Sequence, residues 1–177
     1  VRDEGIDAAL KGTPEQLDAY LKEHYNDAED VGRIFWAGLA WGAAVNMSLD
    51  QPDLLADLPT AKALITRAAA MDDMYFNGGA YIFLGSMEAA FPAALGGDPE
   101  KGKALFEKGL ERTKRRNHML QVSYARLYAV NTQNKELYHK LLMEVVESPD
   151  LGNDVRLSNK VARVRAERYL AQIGELF

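Results

Sequence analysis

The stretch Tyr75–Arg112, YFNGGAYIFLGSMEAAFPAALGGDPEKGKALFEKGLER, holds one complete pair of helices together with the residues that begin and end them. Glycines at three helical positions predict that the two antiparallel helices approach each other closely. Large apolar side chains fill the seam between them. The glycines are Gly85, Gly102 and Gly109, and the seam residues are Tyr81, Leu84 and Phe106. One such pair cannot bury its own apolar face, so the stretch predicts neighbouring helix pairs.

The spacing within this stretch resembles a tetratricopeptide repeat (TPR), whose first helix has the pattern W-x2-L-G-x2-Y. In this chain Tyr takes the place of the Trp and Glu takes the place of the final Tyr; the four positions are Tyr81, Leu84, Gly85 and Glu88. Related spacings occur around Trp36, before the stretch, and in residues 119–145, after it. The connections between these units are longer than in a standard repeat. We therefore expect irregular TPR-like units.

No segment of the sequence shows the alternation of apolar and polar residues that is typical of β-strands. The chain has 177 residues, 47% of them hydrophobic, which is enough to bury a single core. We expect an all-α fold in which irregular TPR-like helix-turn-helix repeats form a compact helical stack, with residues 1–177 as a single domain. Because the chain begins at Val1 rather than Met, we expect its N-terminal part to be truncated or processed.

Composition argues against several classes of function. The net charge of -5 at pH 7 disfavours nucleic acid and anionic membrane surfaces, which require a basic protein surface. The chain has no cysteine, which excludes disulfides, thiolate metal sites and cysteine catalysis. His24, His118 and His139 lie far apart in the sequence, and we expect them at the surface near helix ends rather than as metal ligands. We expect neither a metal nor a cofactor.

One motif resembles a phosphate-binding loop. The segment Gly97–Lys103 reads G-x4-G-K, but Ala104 follows where the motif requires the hydroxyl that ligates magnesium. No strand precedes the loop, and Glu100 would bring negative charge to the phosphates. Asp98 and Pro99 instead predict a capped helix start. Since the sequence also places no pair of carboxylates in a cleft, we expect that the protein is not an enzyme.

In TPR stacks the first helices of the pairs line a concave surface. That geometry, transferred to this chain, predicts a ligand or partner groove formed by Trp41, Ile82, Ser86 and Tyr124. The groove would be aromatic and nearly uncharged, which suits an apolar small molecule or a hydrophobic peptide better than an acidic tail. The alternative is that a helix or a subunit contact fills the groove and that these residues are core.

The last part of the chain predicts one long helix that covers the open end of the stack, as terminal elements of helical arrays must. Gly152 and Asp154 precede it. Its larger apolar residues predict one broad buried face; they are Val161, Val164, Tyr169, Leu170 and Ile173.

Three segments of the chain resemble the T-component proteins of tripartite ATP-independent periplasmic (TRAP) transporters. They are the run from Phe76 to Arg112, the run NHMLQVSYARLYAVNTQNKELYHKLL and the closing run RLSNKVARVRAERYLAQIGELF, and the similarity extends from about Trp36 to Phe177. The most family-specific feature is the loop FPAALGGDP, with Pro92, Gly96, Gly97 and Asp98. The chain departs from the family at Gly102, where Ala is frequent, and in its shorter or absent N-terminal portion.

The resemblance implies a periplasmic, TPR-like protein without catalysis, often anchored by a lipid on an N-terminus that precedes this chain. It also implies binding to the transporter's solute-binding protein and assembly as a homo-oligomer, a trimer in the family, with a pore or cleft proposed to handle hydrophobic ligands. The alternative is a TPR-like interaction scaffold in the cytoplasm. The residues before Val1 decide between them, because a signal sequence with a lipid-acceptor Cys indicates the first and an ordinary Met start the second.

Overall fold

The computed structural model describes residues 4–48, 50–91 and 93–177. The described residues are mostly helical and include no β-strand, which confirms the all-α prediction. The chain divides into two compact units, Val1–Tyr75 and Phe76–Phe177. That residues 1–177 act as a single domain stays a prediction.

The first unit has five helices among the described residues, and two of them begin with local capping hydrogen bonds. The helices are α1 (Glu4–Leu10), α2 (Pro14–His24), α3 (Ala28–Asn46), α4 (Pro52–Leu55) and α5 (Leu58–Met71). At the start of α2, Thr13 and Gln16 form a capping box in which each side chain accepts the other's backbone N–H. In the first turn of α3, the Asp30 carboxylate accepts the backbone N–H of Asp27, the residue before the helix, at 3.1 Å. These local hydrogen bonds satisfy donors that a helix start leaves without partners.

The core of the first unit lies where α3 packs against α5. Gly38 allows this approach, because a Cβ atom at that position would lie 2.9 Å from the side chains of Leu64 and Ile65. The buried apolar residues of α2, α3 and α5 are Leu17, Leu21, Val31, Ile34, Phe35, Val45, Leu58, Ala61, Leu64, Ile65 and Ala68. The Arg67 guanidinium donates to the backbone carbonyl of Tyr25 and to Asn26, which ties the α2–α3 connection to α5.

The second unit continues the helical order. Its elements are α6 (Tyr75–Ala90), which starts on the last residue of the first unit, a 3-10 turn (Ala93–Leu95), α7 (Pro99–Arg112), α8 (His118–Ser123), a π-helical segment (Tyr124–Ala129), α9 (Lys135–Glu147), α10 (Arg156–Ala171) and α11 (Ile173–Leu176). Three consecutive residues near the start of α6, Phe76, Asn77 and Gly78, have left-handed backbone angles. Regular right-handed helix therefore begins only after Gly78.

The seam between α6 and α7 has the close approach that its glycines predict. Gly85 lies against the ring of Phe106, and a Cβ at Gly102 would lie 2.8 Å from the backbone nitrogen of Ala89. At Gly109, a Cβ would lie 2.7 Å from the Cβ of Tyr81. Tyr81, Phe106 and the third seam residue, Leu84, are buried. The predicted helix pair is confirmed.

Helix α10 is buried on a different face from the predicted one. Val161 and Val164 are 42% and 66% exposed, so their assignment to the core face is wrong. The buried residues of α10 are Asn159, Ala162 and Ala166, whose small side chains let the helix approach α8 and α9 closely. The predicted residues nearer the end are partly buried against the core; they are Tyr169, Leu170 and Ile173.

Within the described part of the chain, every helix is too short or too polar to cross a lipid bilayer.

Substitution of Gly109 by Ala tests the seam. We expect Gly109→Ala to lower the free energy of unfolding by about 1–3 kcal/mol, the usual cost of overpacking, because the Cβ of Tyr81 moves only with its backbone. A matched control is Gly174→Ala in α11, where no atom lies within 4 Å of the added Cβ. The control should be neutral or stabilising, since Ala favours helix over Gly by up to about 1 kcal/mol. Thermal unfolding followed by circular dichroism compares the two; equal melting temperatures would refute close packing at Gly109.

Candidate interaction surfaces

Trp41 is half-buried on α3, and its indole is fixed by a polar contact. The indole Nε1–H donates to the Asp57 carboxylate, just before α5, at 3.1 Å. The hydrogen bond satisfies the polar edge of the ring and leaves the rest of it as an apolar surface. Trp41 is therefore a half-buried aromatic side chain of the first unit whose orientation is fixed by a hydrogen bond.

The outward face of α3 is apolar from the middle of the helix to its end. Trp36, Ala40, Ala43 and Met47 follow one another at intervals of three or four residues, and all four are exposed, Trp36 by 46% and Met47 by 86%. We call these four residues the α3 stripe. The Trp36 indole donates to the Tyr75 hydroxyl at 3.1 Å, which orients the ring. Sequence reasoning missed the stripe, although its spacing opposite Gly38 and Gly42 was a usable signal.

The other three predicted groove residues lie in the second unit. Ile82 and Ser86 are one helical turn apart on α6 and are half-buried. Ile82 packs against the core of this unit. Tyr124 is almost fully buried, and its ring stacks on Phe106 with centroids 5.1 Å apart. The geometry of Tyr124 thus favours the core alternative for this residue, and the groove as a whole stays a prediction.

Two tyrosines of the π-helical segment make hydrogen bonds to carboxylates of α7. The Tyr124 hydroxyl donates to Glu107 at 3.2 Å, and the Tyr128 hydroxyl donates to Glu100 at 3.1 Å. Burial, reinforced by these carboxylates, raises the pKa of both phenols. They stay protonated donors at any physiological pH. The π-helical segment thus contacts α7 by polar contacts as well as by packing.

The loop that the resemblance marks as family-specific has a capping function. The Asp98 carboxylate accepts the backbone N–H groups of Glu100 and Lys101, and the Asp98 N–H donates to the Glu88 carbonyl at 2.9 Å. At Gly97, any Cβ would lie 1.8 Å from the Phe91 carbonyl oxygen, so the chain reversal requires glycine. Gly96 has a φ of 78°, a left-handed angle. Pro92, the remaining predicted loop residue, lies outside the described residues.

The lysine nearest the loop binds a buried carboxylate. Lys101 Nζ lies 2.9 Å from Glu88 Oε1, and Glu88 is only 1% exposed. Lys101 is not the lysine of the G-x4-G-K motif, which is Lys103, so this ion pair belongs to the packing of α6 against α7. The Asp98 cap and the start of α7 at Pro99 confirm that the segment is a helix start.

His118 is a buried residue, so the expectation that it lies at the surface is wrong. The imidazole sits at the start of α8, and the backbone N–H of His118 donates to Asn159 Oδ1 of α10 at 3.1 Å. Burial, followed by the nearby Arg163 charge, lowers the pKa of His118. Its burial depends on residues far away in the chain, which local sequence patterns do not reveal.

A polar cluster surrounds the turn between α7 and α8. Arg115 makes a bidentate ion pair with Glu144 of α9. This ion pair lowers the pKa of the Glu144 carboxyl. Gln121 donates from Nε2 to the Arg115 carbonyl and to Glu144, while its buried Oε1 accepts no hydrogen bond in the described part of the chain. From α10, the Asn159 side chain donates to the Arg116 carbonyl at 2.9 Å. These bonds position helices; they do not form a catalytic constellation.

Groups of three or more His, Asp or Glu residues close enough to hold a metal ion do not occur among residues 4–48, 50–91 and 93–177.

The buried imidazole predicts a pH dependence of stability. Because the folded-state pKa of His118 lies below the unfolded value of about 6.5, stability is full above that pH and falls as the pH drops toward the folded pKa. The Glu144 carboxyl contributes its own loss only below about pH 4.5. We expect His118→Gln to show a smaller loss of unfolding free energy between pH 7 and pH 5 than the unmodified chain, measured by urea denaturation. The variant His139→Gln, at an exposed position, is the control. Equal losses of unfolding free energy in His118→Gln and in the unmodified chain would contradict the burial of His118.

No curated protein matched the chain. The family model of the TRAP transporter T-component matched residues 2–177, including both units and the Asp98 loop. The resemblance carried by residues 36–177 therefore extends over nearly the whole sequence, and the chain belongs to the TRAP transporter T-component family.

Proposed function

We propose that the protein is a non-catalytic periplasmic accessory protein of a TRAP-type solute uptake system, where it binds the system's solute-binding protein. The match of the family model over residues 2–177 carries this proposal, because the family gives the chain an accessory role in TRAP transport. The arrangement of the polar residues supports it. The buried carboxylate of Glu88 and the half-buried carboxylate of Glu144 are committed to ion pairs with Lys101 and Arg115.

The proposal includes a hydrophobic small ligand. Apolar surface of the first unit supports this part, since the α3 stripe and the half-buried Trp41 ring offer aromatic and aliphatic contacts. An apolar molecule gains free energy by covering such a surface, in proportion to the area that it removes from water. Ile82 and Ser86 remain proposed members of the ligand or partner groove.

The proposal also includes anchoring and assembly. A lipid on an N-terminus that precedes this chain would hold the protein at the membrane, and a homo-oligomer, by family resemblance a trimer, would be the working form. Neither feature requires a bilayer-spanning helix.

Binding to the solute-binding protein is tested with purified components. The solute-binding protein encoded beside the gene for this chain is immobilised, and the full chain is passed over it at several salt concentrations. We expect saturable binding that survives physiological salt. The absence of binding at every salt concentration, with both proteins shown to be folded, would refute the proposal.

Removal of the Trp41 ring tests the apolar surface. We expect Trp41→Ala to weaken binding of the fluorescent probe N-phenyl-1-naphthylamine by about threefold or more, because the ring supplies apolar contact area. Trp41→Phe should retain most of the binding, since it keeps one aromatic ring while it loses the hydrogen bond to Asp57. The melting temperature should fall by no more than a few degrees.

A fall of about 10 °C or more in Trp41→Ala would instead show that Trp41 is a core residue, because truncation of a buried Trp costs about 3–5 kcal/mol. Unchanged probe binding in a folded variant would equally contradict a ligand surface at this position.

A further inference from the structure

Helix α10 carries a second apolar stripe on its outer side. Leu157, Val161 and Val164 are spaced by four and three residues and so share one face, and they are 79%, 42% and 66% exposed. The opposite face, with Ala162 and Ala166, packs into the core. Exposed aliphatic residues are common singly, but a row of three on one helix marks a surface that another molecule covers.

A groove with a volume of about 670 Å³ runs along this side of the helix. Its lining residues are Lys160, Val161, Val164, Arg165, Arg168 and Tyr169. We call these six residues the α10 groove. The groove is open, because Val161 and Val164 keep much of their surface in contact with water. A small molecule is normally buried by 70–90% in its site, so the openness favours a macromolecular partner.

The charge on α10 is opposite to that of the chain. The helix carries one acidic residue, Glu167, and five basic residues, Arg156, Lys160, Arg163, Arg165 and Arg168, whereas the whole chain has a net charge of -5. Two of the basic residues have partners within the fold: Arg156 binds the Asp150 carboxylate, and Arg163 donates to the Ser148 carbonyl.

The three basic residues that line the α10 groove have no carboxylate at ion-pair distance within the described part of the chain. Arg165 contacts the Met119 sulfur at 3.7 Å, and the Arg168 guanidinium lies 5.1 Å from the centroid of the Tyr169 ring. Neither contact neutralises the charge. The groove therefore combines two apolar residues, Val161 and Val164, which we call its floor, with three basic residues, which we call its rim and which make no ion pair within the described part of the chain. This combination is complementary to a surface that carries apolar side chains flanked by carboxylates.

We propose that the α10 groove is the docking surface for a segment of the solute-binding protein in which apolar side chains are flanked by acidic residues. This inference rests on the function proposed above and adds the surface and the chemistry of the partner. Two other occupants fit less well. An anionic membrane would be repelled by the acidic remainder of the chain. A two-fold contact with a second copy through the same face would bring the two cationic rims together, and a contact of this face with a different face of a second copy is distinguished by the light-scattering measurement below.

Charge reversal at the rim tests the proposal. In Lys160→Glu with Arg165→Glu, both residues are exposed, so folding should be unaffected. A matched control is Lys135→Glu with Lys140→Glu, which makes the same change in net charge at exposed positions of α9. We expect the reversal to lower the association rate constant for the solute-binding protein about tenfold or more, and the control to change it about twofold at most. Added salt should slow the unmodified chain but not the reversal variant.

The apolar floor is tested by Val161→Ser with Val164→Ser. We expect a several-fold faster dissociation and little change in association, since short-range apolar contacts act mainly after encounter. Both residues are exposed, and the melting temperature should stay constant.

Each outcome has a distinct meaning. If the unmodified chain does not bind the solute-binding protein, the proposed function and this inference both fail. If it binds and the rim and floor variants bind equally well, the docking surface is wrong while the proposed function stands. The inference also fails if the reversal leaves the complex intact but changes the mass of the isolated chain in light scattering, or removes its binding to vesicles of phosphatidylglycerol.

Discussion

The second unit depends on the close approach of α6 and α7, which the absence of side chains at three glycines permits. Gly85 admits the ring of Phe106, and Phe106 in turn provides the surface on which Tyr124 stacks at a centroid distance of 5.1 Å. Since Tyr124 is the first residue of the π-helical segment, this stacking packs the segment against α7. A bulkier residue in place of Gly85 would therefore disturb more than one pair of helices, because closely packed interiors transmit strain to their neighbours.

Helix α10 is held against the core by hydrogen bonds as well as by apolar contacts. Its buried apolar side chains include only the small Ala162 and Ala166, which remove little apolar area from water. Asn159 compensates by accepting from the His118 backbone and donating to the Arg116 carbonyl. The Tyr138 hydroxyl, which donates to the Tyr169 carbonyl at 2.9 Å, adds a contact at the other end. Because small and polar residues of α10 face inward, Leu157, Val161 and Val164 face outward, and the two valines line the α10 groove.

The sequence predicts those features that arise from local chemistry. The start of α7 at Asp98 and the glycine seam are confirmed, because each depends on residues within a few positions or on a strict need for small size. The inward face of α10 and the burial of His118 are not predictable in this way. Helix α10 has apolar residues on two faces, one with Ala162 and Ala166 and one with Val161 and Val164. Which face is buried depends on how closely α8 and α9 approach the helix. The burial of His118 requires α10 residues some forty positions away.

The central claim, that a cationic apolar groove on α10 meets acidic residues of the solute-binding protein, is tested most directly by zero-length carbodiimide cross-linking of the complex. The reagent joins lysines only to carboxylates in direct contact, and mass spectrometry identifies the joined residues. The account predicts that Lys160 is joined to an Asp or Glu of the solute-binding protein. Cross-links from other lysines, such as Lys62 of α5 or Lys135 of α9, with Lys160 left unmodified by the partner, would contradict it.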